Sequence, residues 1–113
     1  MKGKKSGTRD LFGGLAREAA RREALGRLSV ERGPVRAERD LAQEIQDPYE
    51  ATFRAAHARL LEVTTQVPTP KAERLIWYDK RMRAGHAWHP HRQRLREANR
   101  WLKAIDDEIR RLT

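Results

Sequence analysis

The chain has no cysteine, so neither a disulfide framework nor a cysteine-ligated metal centre can hold it together. No run of apolar residues approaches the ~18 that a membrane span needs, and Lys2, Lys4 and Lys5 are not followed by the apolar stretch of a signal peptide. An Arg-rich start can mimic an organelle transit peptide, but Asp10, Glu18, Glu23 and Glu31 argue against one. Aromatics make up only 6% and hydrophobic residues 38%, and the alternation that marks strands is essentially absent. A chain of 113 residues with that composition forms one small domain with a thin core built from stripes. The expectation is a cytoplasmic protein that makes no membrane contact.

Catalytic patterns are also missing. Gly13-Gly14 lacks the spacing and the following Lys-Ser/Thr of a phosphate-cradling loop, and no Ser/His/Asp or paired-carboxylate arrangement stands out. No enzymatic activity and no cofactor is expected.

What the chain has is charge and helical periodicity. Charged residues make up 36%, with 25 Lys and Arg against 16 Asp and Glu, a net charge of +9. Pro34, Pro48, Pro70 and Pro90 each sit where a helix could begin, because proline tolerates the first helical position. Asp47-Pro48-Tyr49-Glu50 resembles a capping box, and Gly33 and Gly85 suit helix C-termini. These signals predict an all-α bundle of four to five helices, near 14–28, 34–46, 48–65, 70–84 and 90–112. Residues 1–13 read as a flexible basic tail and 14–113 as a single helical domain, with 48–113 its core and 14–46 weaker helices that order on a partner.

Two stripes carry the strongest periodicity. Tyr49, Phe53, Ala56, Leu60 and Val63 recur at 4, 3, 4, 3, and Leu95, Ala98, Leu102, Ile105, Ile109 and Leu112 at 3, 4, 3, 4, 3. Both are heptad seams, so an antiparallel hairpin or short coiled coil is their natural product. Trp77 and Trp101 lie beside apolar stripes and are expected in the core.

The charge is uneven. Residues 1–33 carry a net +5, 34–70 a net −2 and 71–113 a net +6. The densest basic stretch, Lys80, Arg81 and Arg83 followed by Arg92, Arg94, Arg96, Arg100 and Lys103, is interleaved with Trp77, Tyr78, Trp88 and Trp101. Arg92, Arg96, Arg100 and Lys103 project into an arc of about 80°, opposite the apolar seam, so one face can pack while the other meets phosphate. A helix opening at His89-Pro90-His91-Arg92-Gln93-Arg94 would set bases against the positive end of its dipole, a cost that a bound anion would offset. Trp88, placed in a loop, is a candidate for stacking on a base.

The candidate nucleic-acid-binding residues are therefore Lys80, Arg81, Arg83, Trp88, His89, His91, Arg92, Gln93, Arg94, Arg96, Arg100 and Lys103. A helix-turn-helix about Gly85 is the sequence-specific alternative, although the linking segment is long for that motif. His86, His89 and His91 could be read as metal ligands, but no cysteine completes the set and no acid is placed to converge, so no metal is expected. The function expected is non-enzymatic binding of DNA or RNA, mainly through its backbone, as an accessory protein or subunit of a nucleoprotein complex. The alternative is an adaptor or inhibitor that docks a nucleic-acid-processing enzyme. A protein partner or larger complex is expected in either case, and a homodimer through the last helix is compatible with both.

Overall fold

The structure, a computed structural model, describes the backbone of residues 2–113 and the side chains of residues 13–113. It contains two helices, α1 (Lys2–Thr65, 64 residues) and α2 (Lys71–Leu112, 42 residues), packed antiparallel as a long hairpin of 90 × 27 × 15 Å. The fold is all-α, but the expected bundle of four to five helices is overturned. The reading of residues 1–13 as a flexible basic tail falls almost entirely outside the described side chains.

The correction turns on proline and glycine. Pro34, Pro48 and Pro90 lie inside helices, and of the four prolines taken as helix starts only Pro70 is one, as the N-cap of α2. An interior proline removes an N–H and leaves the carbonyl four residues back without its partner, at roughly 3 kcal/mol. The carbonyls affected belong to Val30, Glu44 and His86, and all three residues are exposed, so water can serve them. Gly33 and Gly85 are likewise mid-helix, and no glycine among the described residues has a positive φ. Gly85 serves packing instead: a Cβ there would meet the Phe53 ring at 3.4 Å, so its bare backbone is where that ring lies against α2.

What carries α1 through its prolines is an unbroken heptad phase. From Arg21 the positions Leu25, Leu28, Arg32, Val35, Arg39, Ala42, Gln46, Tyr49, Phe53, Ala56, Leu60 and Val63 follow at alternating steps of four and three. In α2 the matching seam is Trp77, Arg81, Ala84, Trp88, His91, Leu95, Ala98, Leu102, Ile105, Ile109 and Leu112. Both seams read from the sequence are present, with Ala56, Leu60, Val63, Ala98, Leu102 and Ile105 buried. Val35 packs with Leu102 and Ile105, flanked by Leu28 and Ile109. The pairing ends where Arg21 Nη1 donates to the Leu112 carbonyl at 3.1 Å, so α1 extends beyond α2 on its N-terminal side.

The connection, residues 66–70, is short and proline-rich. Gln66 N–H donates to the Val63 carbonyl, and Thr69 Oγ1 donates back to Gln66 O at 2.8 Å. Thr69 thus closes α1 and does not cap α2, which opens from the Pro70 carbonyl accepting Arg74 N–H at 2.9 Å.

Because Gly33 has no atom near its missing Cβ and Pro90 is exposed, Gly33→Ala and Pro90→Ala should each raise the melting temperature. The gain should be about 1 kcal/mol for the glycine and 1–3 kcal/mol for the proline. Thermal unfolding followed by circular dichroism checks this. A helix ending at Gly33 in a left-handed cap would give the opposite sign for Gly33→Ala.

Candidate nucleic-acid interface

Near the middle of the hairpin the seam is polar and aromatic. Gln46, only 3% exposed, accepts from Trp88 Nε1 at 2.7 Å and donates to Asp47 Oδ1 at 2.6 Å and Glu50 Oε2 at 3.0 Å. No buried side-chain polar atom among the described residues lacks a partner. Trp88 leans on Phe53 at a centroid distance of 5.2 Å, His91 stacks on Tyr49 at 4.3 Å, and the Arg92 guanidinium sits 4.7 Å above the Trp88 ring. Toward the connection, Arg81 Nη1 meets His57 Nδ1 at 3.3 Å.

This arrangement divides the sequence-derived site. Arg81, Trp88 and His91 point into or across the seam and meet α1, while Arg92 lies over the Trp88 ring of its own helix. Trp88 is not in a loop and is committed to Gln46 and Phe53. Lys80 covers Trp77 at 4.4 Å, and Arg83 pairs with Asp79 at 3.0 Å. His89, Gln93, Arg94, Arg96, Arg100 and Lys103 are exposed. The helix-turn-helix is overturned, because α2 runs through Gly85 without a turn. So is the anion site at a helix N-terminus over 89–94: α2 begins at Lys71, with Glu73 in its first turn and Arg110 and Arg111 in its last, the ordinary dipole arrangement. Trp101, expected in the core, is 48% exposed. His91 faces the seam while His86 and His89 lie outside it, and no group of His, Asp or Glu among the described residues is placed to hold a metal.

The charge asymmetry along the chain becomes lateral in the hairpin. The acidic stretch of α1, from Glu38 to Glu50, lies alongside the arginine-rich stretch of α2. On one flank Arg36 acts on Asp106 and Arg92 on Glu50, with Gln43 and Asn99 in the same groove as the second pair. Glu50 is held below the usual carboxylate range by hydrogen bonds from Gln46 and Arg54. The late acids of α2 have structural work as well. Asp106 accepts from Arg32 Nε at 2.5 Å, Asp107 pairs with Lys103 at 2.7 Å, and Glu108 pairs with Arg111.

Arg94, Arg96 and Arg100 differ from most other cations of the hairpin in having no carboxylate within ion-pairing distance among the described residues. Arg96 and Arg100, one turn apart, stand with Gln93 and Lys103 on one side of α2, whereas Arg94, two residues from Arg96, lies about 160° round the helix on its other flank. Sequence reasoning missed Gln46, the Arg32–Asp106 pair and the dip at Gly85; their signal was heptad position, which purely apolar pattern reading passes over. Comparison of the chain with known protein families, with curated proteins and with solved structures finds no match. No helix among the described residues is long and apolar enough to cross a membrane.

Two outcomes test this geometry. Gln46→Ala leaves the Trp88 N–H without its acceptor and should destabilise the hairpin by about 1–3 kcal/mol, read by urea unfolding with tryptophan fluorescence as probe. The Asp106 carboxyl lies below its ordinary 3.8 because Arg32 hydrogen-bonds to its charged form, so its contribution is complete above that value and fades as pH falls through the folded pKa. The stability gap between the native protein and Asp106→Asn should therefore be present at neutral pH and shrink below pH 3.8.

Proposed function

We propose that this protein binds the phosphate backbone of DNA or RNA without catalysis, using the outward side of α2, as an accessory protein or subunit of a nucleoprotein complex. The observation that carries this reading is the pair of cations Arg96 and Arg100, exposed and without a carboxylate at ion-pairing distance, on one arc of a rigid helix. Arg96 and Arg100 are one turn apart, about 6 Å along the axis, and Lys103 continues the row. Such a row neutralises phosphates and releases their counterions, a source of affinity that needs no base contact.

Glu50 of α1 shares a groove with Arg92 and Arg96, so the cations that a nucleic acid meets least offset by α1 are those farther round α2, Arg100 foremost. Without a helix-turn-helix to present side chains to a groove, binding is expected to be tolerant of sequence. Of the twelve residues singled out from the sequence, the reading keeps Gln93, Arg96, Arg100 and Lys103 as direct contacts, with His89 beside them and Arg83 and Arg94 on the other flank of α2.

The test is fluorescence anisotropy with matched single- and double-stranded DNA and RNA across a salt series, for the native protein and an Arg96→Ala, Arg100→Ala, Lys103→Ala variant. The expected result is binding whose logarithmic salt slope falls by roughly 2–3 in the variant, with the thermal melt unchanged because all three side chains are exposed. Absence of binding at low salt, or a variant with the native slope, overturns the assignment.

A further inference from the structure

The half of α2 nearer the connection carries Leu75, Ile76, Trp77, Tyr78, Met82 and Trp88, yet α2 buries no residue before Ala98. Leu75, Tyr78 and Met82 are 67%, 45% and 45% exposed, and they recur at three and four residues, a second seam on the flank of the first. Leu61 of α1, 53% exposed, lies on the corresponding flank of α1 near the connection. Below this stripe runs a groove in two parts: 400 Å³ lined by Lys71, Arg74, Leu75 and Tyr78, then 630 Å³ reaching the Phe53 ring through the dip at Gly85.

We infer that this flank is the interface of a homodimer, in which two hairpins pack antiparallel about a two-fold axis near Met82 to make a four-helix bundle. Area is the first argument. The chain exposes 8890 Å², whereas a compact monomer of this mass exposes about 6,400 Å². Part of that excess, about 2,500 Å² in all, belongs to the stretch of α1 that runs past Leu112; the rest lies along the paired hairpin, where a homodimer interface can bury it. Its radius of gyration, 26.1 Å, is about twice that of a compact chain this long.

Charge selects the second copy as the occupant. Arg74 is exposed, with no carboxylate at ion-pairing distance, and lies eight residues from Met82 toward the connection, about 12 Å. Asp47 is exposed, held only by the amides of Gln43 and Gln46, with no cation at ion-pairing distance. The stack of Tyr49 on His91 places Asp47, two residues before Tyr49, level with Gln93, about 16 Å from Met82 on the other side. Two unpaired charges of opposite sign, about 12 and 16 Å to either side of Met82, are what a self-complementary surface requires: an axis midway between them, about 2 Å beyond Met82, brings Arg74 of each copy to the level of Asp47 of the other. The apolar stripes then cross at Met82, over the dip at Gly85.

Sedimentation velocity of the full chain, without nucleic acid and over a concentration series, tests this. The native protein should sediment as a dimer, and Leu75→Glu with Met82→Glu should give a monomer with unchanged helical circular dichroism, since both side chains are exposed within one hairpin. Arg74→Glu and Asp47→Arg should each weaken the dimer about tenfold, and the double variant should recover to within about threefold of native, because each reversed pair occurs twice. A monomer at every concentration, a dimer indifferent to the Leu75 and Met82 substitutions, or charge reversals that do not rescue each other would overturn the proposal. None of these readouts depends on nucleic-acid binding.

Discussion

Everything in this molecule depends on a single phase relation: the four-three repeat that α1 keeps from Arg21 to Val63 without a slip. Had the phase broken at Gly33-Pro34 or Asp47-Pro48, the segments on either side would have turned different faces to α2 and separate helices would have resulted. An interior proline costs on the order of 3 kcal/mol, and a fully buried Val, Leu or Ile contributes about 1.5–3 kcal/mol. Two aliphatic seam residues thus offset one proline, provided the proline faces water, and all three interior prolines do. The seam is also what makes Arg21, Arg32, Arg39 and Gln46 intelligible, since they occupy core-facing positions where the hairpin is thin enough for a long polar side chain to reach a partner or solvent.

That same phase explains which parts of the fold could be read in advance. The two apolar seams, Tyr49 to Val63 and Leu95 to Leu112, were legible because every member is apolar or small, and they correctly implied an antiparallel helical pairing. The continuation through Arg32, Arg39 and Gln46 was not, because half its members are polar and it looks like a solvated face until α2 is beside it. Proline and glycine then dominated the reading. Both punctuate helices when nothing else holds the backbone, and tertiary packing of a long seam is the circumstance in which they do not. Gly85 shows the ambiguity in one residue: a helix-terminating glycine and a glycine that admits a ring look identical in the sequence.

The site was legible in composition and less so in placement. Counting charge found the basic stretch from Lys80 to Lys103, but a count cannot tell an arginine that lies across Trp88 from one that faces water. Arg92 and Arg96 are four residues apart, and only the first lies over the Trp88 ring. Projection onto an ideal helix put them in one arc and was accurate as geometry. What it lacked was the second helix, whose Phe53, Gln46 and Glu50 draw Trp88 and Arg92 inward. The acids of α2 were similarly misread, as a dipole out of order, because Arg32 lies 74 residues away in sequence from the Asp106 it pairs with.

The mixture of large and small residues along the seam has a mechanical consequence. Trp88 meets Gln46 and Phe53, the Phe53 ring lies against bare backbone at Gly85, and His91 meets Tyr49, so sliding one helix past the other by a heptad, about 10 Å, would mismatch every layer. The hairpin has one register and hence one length. Pro68 at its tip and Arg100 on its flank are separated by some thirty residues of continuous α-helix, about 45 Å at the helical rise. Whatever is held at one point is held at a set distance from whatever is held at the other, as along the arm of a caliper.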